Sequence, residues 1–192
     1  MKKQIGLYFG SFNPPHIGHM AIANYMLSYG NLDEVWFVVS PQNPLKDKKS
    51  LVQARTRFEM VRRAIGTFPG MRASDIEFGL PTPNYTINTL VHLEEQYPDY
   101  SFCLIMGMDN IQTFSKWKAW ETLLEQYQLR IYPRPGYTGE PHIHHPHVTL
   151  IDAPLMEISS SFLRQAIKEK KNVRFFLPDA VAEMIEKEGL YQ

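Results

Sequence analysis

Apolar residues fall along the chain in two alternating patterns. Compact apolar runs at Ile5–Phe9, Val35–Val39, Phe102–Met106, Leu129–Tyr132 and Val148–Ile151 predict strands buried on both faces. Ala73–Phe78 is a weaker sixth run. Helical spacing fills the gaps. One helix is predicted over Met20–Tyr29, ended by Gly30 and Asn31. A second opens at Ser50, with Gln53 placed for a capping box, and presents Leu51, Ala54, Phe58, Val61 and Ile65 before Gly66. Its arginines, Arg55, Arg57, Arg62 and Arg63, lie mostly off that apolar stripe. Further helices are predicted from Thr86, as a cap, to about Gln96, and over Asp109–Glu125 in one or two pieces around Trp117 and Trp120. Two more follow, one from Ser159 or Ser160 with Leu163 and Ile167 inward, and one after Leu177-Pro178-Asp179 with Val181, Met184 and Ile185 inward. About six strands alternating with helices predict an α/β fold, a doubly wound and mostly parallel sheet covered on both faces. Ligands of such sheets sit beyond the C-terminal strand ends, where Gly10, Ser40, Phe78 and Gly107 fall.

The length of 192 residues suits one domain, with a C-terminal helical part from about residue 159. Twenty basic and twenty acidic side chains cancel, so whole-chain charge points to neither nucleic acid nor an acidic membrane. Any anion binding must be local. Cys103, the single cysteine, lies inside an apolar run, which predicts a buried, inert thiol and excludes an intrachain disulfide. Met1-Lys2-Lys3 and the following apolar run could imitate a signal peptide, but none is expected, because Gly10–Pro15 interrupts the run too soon and no small-residue cleavage site follows. No apolar segment reaches membrane-spanning length. The expectation is a cytoplasmic enzyme or binding protein.

Candidate chemistry concentrates in two places. Gly10-Ser11-Phe12-Asn13-Pro14-Pro15-His16-Ile17-Gly18-His19 joins a strand to a helix start, where unpaired N–H groups suit phosphates. His16 and His19 fall roughly on one helix face. They could be plain helix-start residues, or a metal pair lacking further ligands nearby, or donors to a phosphoryl-type transition state. The glycine-bearing approach favours the third reading, although the segment is neither a Walker loop nor a dinucleotide fingerprint. Ile158-Ser159-Ser160-Ser161-Phe162-Leu163-Arg164 reads as a serine-capped helix, or as a second anion site in which Arg164 offers a two-pronged donor. His142, His144, His145 and His147 lie in a loop where Pro141 and Pro146 break any regular metal spacing.

Gly10–His19 resembles the first signature of the HxGH nucleotidyltransferase superfamily, and Ile158–Arg164 resembles its second. The finer resemblance is to bacterial nicotinate-mononucleotide adenylyltransferases. It rests on Tyr85-Thr86-Ile87-Asn88-Thr89-Leu90, Met106-Gly107-Met108-Asp109, Lys116-Trp117, Arg134-Pro135-Gly136, Leu177-Pro178-Asp179 and Gly189-Leu190-Tyr191, and so covers nearly the whole chain. Asn13 and Asn88 stand where that family often has Asp. Pro44-Leu45-Lys46 lacks the family's frequent histidine before the lysine, and Lys48 and Lys49 are close by.

The resemblance implies a Rossmann-like nucleotidylyl transferase fold and adenylyl transfer from ATP to nicotinate mononucleotide, giving nicotinate adenine dinucleotide and pyrophosphate in NAD biosynthesis. It assigns catalysis to His16, His19, Lys46 and Arg164. It places ATP at Gly10, Ser11, Phe12, His16, His19, Gly107, Asp109, Ser160, Ser161 and Arg164. It places the mononucleotide at Asn13, Lys46, Tyr85, Thr86, Trp117 and Arg134, with Trp117 stacking on the pyridine ring. Mg²⁺ would arrive on the phosphates, with no protein-built metal site. Small nucleotides are the implied partners, and the family varies in assembly, so a homo-oligomer is compatible. Phosphopantetheine or nicotinamide mononucleotide as acceptor, and a non-catalytic nucleotide-binding module, are the competing readings.

Overall fold

The computed structural model describes residues 2–41 and 51–192. Six strands form one all-parallel sheet in the order β3-β2-β1-β4-β5-β6, with β1 Lys3–Gly10, β2 Glu34–Val39, β3 Met71–Ser74, β4 Tyr100–Gly107, β5 Gln128–Tyr132 and β6 Val148–Leu150. The helices are α1 Ile17–Tyr29, α2 Ala54–Ile65, α3 Thr86–Gln96, α4 Met108–Gln112, α5 Trp120–Gln126, α6 Ser160–Lys168 and α7 Asp179–Glu188.

The central strands carry continuous apolar runs over their inner positions because each face meets a different core. Ile5, Leu7, Trp36, Val38, Leu104 and Met106 pack with Leu90, Leu93, Ile111 and Leu123 on one face. The intervening Tyr8, Val35, Phe37, Val39 and Ile105 pack with Ile22, Ala23, Met26, Val61 and Ile65 on the other. A third cluster joins Met60 of α2 to Leu163 of α6 and Leu177, Val181, Met184 and Ile185 at α7. The C-terminal helical part is thereby fastened to the sheet through α2. Winding reverses between β1 and β4, so Gly10 and Gly107 end adjacent strands at the crevice.

Several boundaries differ from the sequence expectation. Helix α2 begins at Ala54 rather than Ser50, and Gln53 occupies its N-cap position without a side-chain cap bond. The preceding backbone is committed elsewhere: Val52 N–H donates to Asn13 Oδ1 (3.3 Å), and Val52 C=O accepts from Arg57 Nε (2.8 Å). Ser50 itself lies outside the described residues. The run at Ala73–Phe78 is a strand only as far as Ser74, where pairing with Val38 ends, and Ile76–Gly79 forms a 3₁₀ turn. Tyr85, not Thr86, holds the N-cap position of α3. Helix α1 starts three residues before Met20, which puts His16 at its N-cap and His19 one turn in. Asp109–Glu125 divides into α4, a 3₁₀ turn at Phe114–Lys116, and α5.

Candidate active site

The loop after β1 is nearly sealed: Ser11, Phe12, Asn13 and His16 are all buried. Phe12 has φ +46°, a left-handed conformation unusual for a bulky residue. Its ring is held by edge and tilted contacts to Tyr8, Phe37 and His19. The two imidazoles stack with centroids 3.7 Å apart. His16 N–H donates to His19 Nδ1 (3.2 Å), so Nδ1 is an acceptor and the proton of neutral His19 resides on Nε2. Burial, with the nearby Arg134 charge, lowers the His16 pKa to about 4, so His16 is neutral at physiological pH. Gly18 permits this stacking, since a β-carbon there would stand 3.0 Å from His16 Nδ1.

The second motif closes on the first from the other end of the chain. Ser159 caps α6 by accepting from Phe162 N–H (3.1 Å). Ser160 Oγ donates to Pro14 C=O (2.9 Å), and Arg164 Nη1 donates to Asn13 C=O (2.9 Å). Arg164 Nη2 also donates to Ser161 Oγ (3.3 Å). Near the end of the chain, Tyr191 Oη donates to Asn13 Oδ1 (2.9 Å). Beneath the loop, Arg57 is fully buried. Its guanidinium donates to the carbonyls of Ser11, Ser40 (2.9 Å), Pro41 (2.9 Å) and Val52.

Two spaces open at the crevice. A tight one of about 10 Å³ is lined by Tyr8, His16, His19, Tyr132, Arg134 and Met156, among others. Arg134 lies 3.7 Å from Asp109 Oδ1 at the start of α4. Tyr8 and Tyr132 set their hydroxyls 3.4 Å apart, and burial raises the Tyr8 pKa well above its ordinary value. The larger cavity, about 430 Å³, runs from Gly10 and Ser40 past Glu77 and Asn84 to Tyr85, Thr86 and Trp117. Lys116 and Lys118 also line it, and Lys118 Nζ sits 4.4 Å over the Tyr85 ring.

Residues 7–166 match the cytidylyltransferase-like family model. The chain is 45% identical over 194 residues to a protein of Christiangramia forsetii named "Probable nicotinate-nucleotide adenylyltransferase", covering all of both sequences. It is 48% identical to a protein of the same name from Cytophaga hutchinsonii, over 95% of each. The chain belongs to the nicotinate-nucleotide adenylyltransferase family. A solved structure of Plasmodium falciparum nicotinic acid mononucleotide adenylyltransferase complexed with NaAD superposes with a TM-score of 0.82 at 21% identity, covering 98% of this chain and 97% of that one. At that identity the likeness speaks for the nucleotidyltransferase fold alone.

Within this family fold, the predicted residues separate into two groups. Gly10, Ser11, Phe12, Asn13, His16, His19, Ser160, Ser161 and Arg164 meet at the loop after β1. Tyr85, Thr86 and Trp117 line the large cavity. Gly107 ends β4 against Asp109, Arg134 and Tyr132. Arg134 is not brought to Tyr85 and Trp117; it lies with His16, His19 and Asp109. Lys46, Lys48 and Lys49 lie outside the described residues. Among those described, no group of three His, Cys, Asp or Glu side chains could hold a metal ion. Asn88 is exposed, so the missing acid at that position leaves no buried gap. Sequence reading missed Arg57, taken as lying off the apolar stripe, and the buried Glu77. Periodicity marks which residues face inward but does not distinguish a buried ion from a solvated one.

Proposed function

We propose that the chain transfers the adenylyl group of ATP to nicotinate mononucleotide, giving nicotinate adenine dinucleotide and pyrophosphate. The observation that carries this reading is the coincidence of the clamped histidine loop with a cavity of mononucleotide size at the same crevice. The 5′-phosphate oxygen of the mononucleotide forms a bond to the α-phosphorus of ATP, and the bond from that phosphorus to the β-phosphate bridging oxygen breaks. The nucleophile is already ionised, so no general base is needed. The residues align the reactants and donate hydrogen bonds to growing negative charge. His19 Nε2–H is the principal donor. Neutral His16 fixes the His19 ring. Arg164, Ser160 and Ser161 would hold the departing phosphates, and Gly107 and Asp109 would flank the adenosine. Lys46 is proposed to meet phosphate from its own segment. Trp117 would stack on the pyridine ring, with Tyr85, Thr86 and the start of α3 receiving the carboxylate.

The charged side chains beside the histidine loop are the guanidinium donors of Arg134 and Arg164, which suits a divalent ion such as Mg²⁺ carried in by the phosphates rather than caged by carboxylates. Bound there, Mg²⁺ would neutralise phosphate charge. Among the described residues no helix is long and apolar enough to cross a membrane, and a cytoplasmic location is part of the proposal.

The test is a panel of nicotinate mononucleotide, nicotinamide mononucleotide and phosphopantetheine with ATP and Mg²⁺, read by pyrophosphate release. Fastest release with nicotinate mononucleotide is expected, and absence of release with all three would favour the non-catalytic reading. Trp117→Ala is expected to raise KM for the mononucleotide about tenfold while leaving KM for ATP nearly unchanged, as loss of one ring stack predicts. Equal changes in both constants would identify a purely structural tryptophan.

A further inference from the structure

The wall of the large cavity carries two hydrogen-bond acceptors that no described residue satisfies. Glu77 is 3% exposed, on the 3₁₀ turn after β3. Its Oε1 accepts from Thr89 Oγ1 of α3 (2.9 Å) and the Ser40 hydroxyl also acts on the carboxylate, while its buried Oε2 makes no hydrogen bond. Asn84 donates through Nδ2 to Glu77 C=O (3.1 Å), which leaves its own buried Oδ1 without one. Both residues line the cavity. Buried acceptors of this kind are costly unless a donor arrives.

Their position along the cavity narrows the choice of donor. Ser40 follows the end of β2, and its N–H donates to Gly10 C=O (3.0 Å), which ties this wall to the phosphate loop. On the other side, Thr89 lies one turn into α3 from Thr86. Glu77 therefore stands between the phosphate end and the pyridine end of the site. A nicotinate mononucleotide offers no donor at its ionised phosphate and none at its ring carboxylate. Its two ribose hydroxyls are its donors, and they lie between those ends.

Building on the proposed function, we infer that Glu77, with Asn84 beside it, is the acceptor for the ribose hydroxyls of the mononucleotide, and so selects a ribonucleotide at that subsite. Burial pushes the Glu77 carboxyl pKa up, outweighing the downward pull of the Thr89 and Ser40 hydroxyls. Thr89 holds the carboxylate in orientation, and the helix start it belongs to adds a favourable field.

The test pairs Glu77→Gln with 2′-deoxy and 3′-deoxy nicotinate mononucleotide. Glu77→Gln leaves one carbonyl oxygen to serve both Thr89 and the ribose. KM for nicotinate mononucleotide is expected to rise about tenfold with KM for ATP unchanged, the loss of one hydrogen bond to a charged acceptor. The wild type is expected to lose a similar factor in kcat/KM on one of the deoxy substrates, and the variant to lose little further on that same substrate. Losses that simply multiply would overturn the assignment, because a merely structural Glu77 would not sense one hydroxyl. If Glu77→Gln does not fold, Glu77→Asp is read in the same cycle, with reduced sensitivity to the same hydroxyl expected and undiminished sensitivity overturning the idea. A wild type inactive on nicotinate mononucleotide itself would overturn the functional reading; activity with multiplying losses would overturn only the role of Glu77.

Discussion

In the proposed mechanism the His16–His19 pair divides two tasks between similar side chains. His19 presents a proton on Nε2 because the backbone N–H of His16 occupies Nδ1. Removing that donor in His19→Ala is expected to lower kcat by about a hundredfold or more, as loss of one transition-state donor does elsewhere. ATP affinity, measured by calorimetry, should change far less; parallel losses would mean a ground-state role. His16 is a group held neutral by burial, with Arg134 adding to the effect. Its folded pKa of about 4 lies below the ordinary value of 6.5, so the unfolded chain binds the proton more readily. The neutral ring's contribution is complete above about pH 6.5 and fades as pH falls toward 4. A shift of this size amounts to roughly 3 kcal/mol. Melting temperature should therefore fall between pH 7 and pH 5 in the wild type, and less steeply in His16→Asn. Identical slopes would remove His16 as the source.

At the scale of elements, the site depends on chain segments that hold a loop from below and from the side. Arg57 of α2 gathers carbonyls from the β1 loop, the end of β2 and the approach to α2. Helix α6 and the tail after α7 fasten Asn13 and Pro14. Tyr191→Phe removes one such bond without changing ring volume, and should cost about 1 kcal/mol in denaturant unfolding. A larger fall in kcat than in ATP affinity would place the effect on loop geometry. The central strands were legible in the sequence because burial on both faces makes continuous apolar runs, as in Val35–Val39. The edge was less so. Met71–Ser74 is short and partly exposed, and its apolar neighbours Ile76 and Phe78 belong to a turn, so the run read as a strand displaced along the chain. The histidine and serine motifs stood out as local patterns. Arg57 and Glu77 did not, because their partners are backbone carbonyls and the Thr89 and Ser40 hydroxyls, brought together only by the fold.

On the scale of the whole molecule, the sheet is a buried centre with the candidate site assembled at one rim. Cys103 sits in β4 at its middle, 5% exposed, and burial raises its thiol pKa to about 11. The native protein should resist alkylation at neutral pH, and its labelling rate should follow global unfolding as denaturant is added. Fast labelling without loss of activity would contradict that picture. The clamp on Asn13 has a consequence for how the enzyme is made. Asn13 and Tyr191 are separated by 178 positions. The histidine loop therefore emerges from the ribosome long before the residue that braces it. Throughout synthesis the nascent chain carries both histidines but lacks their support, so competence to react should arrive late and abruptly rather than growing with chain length.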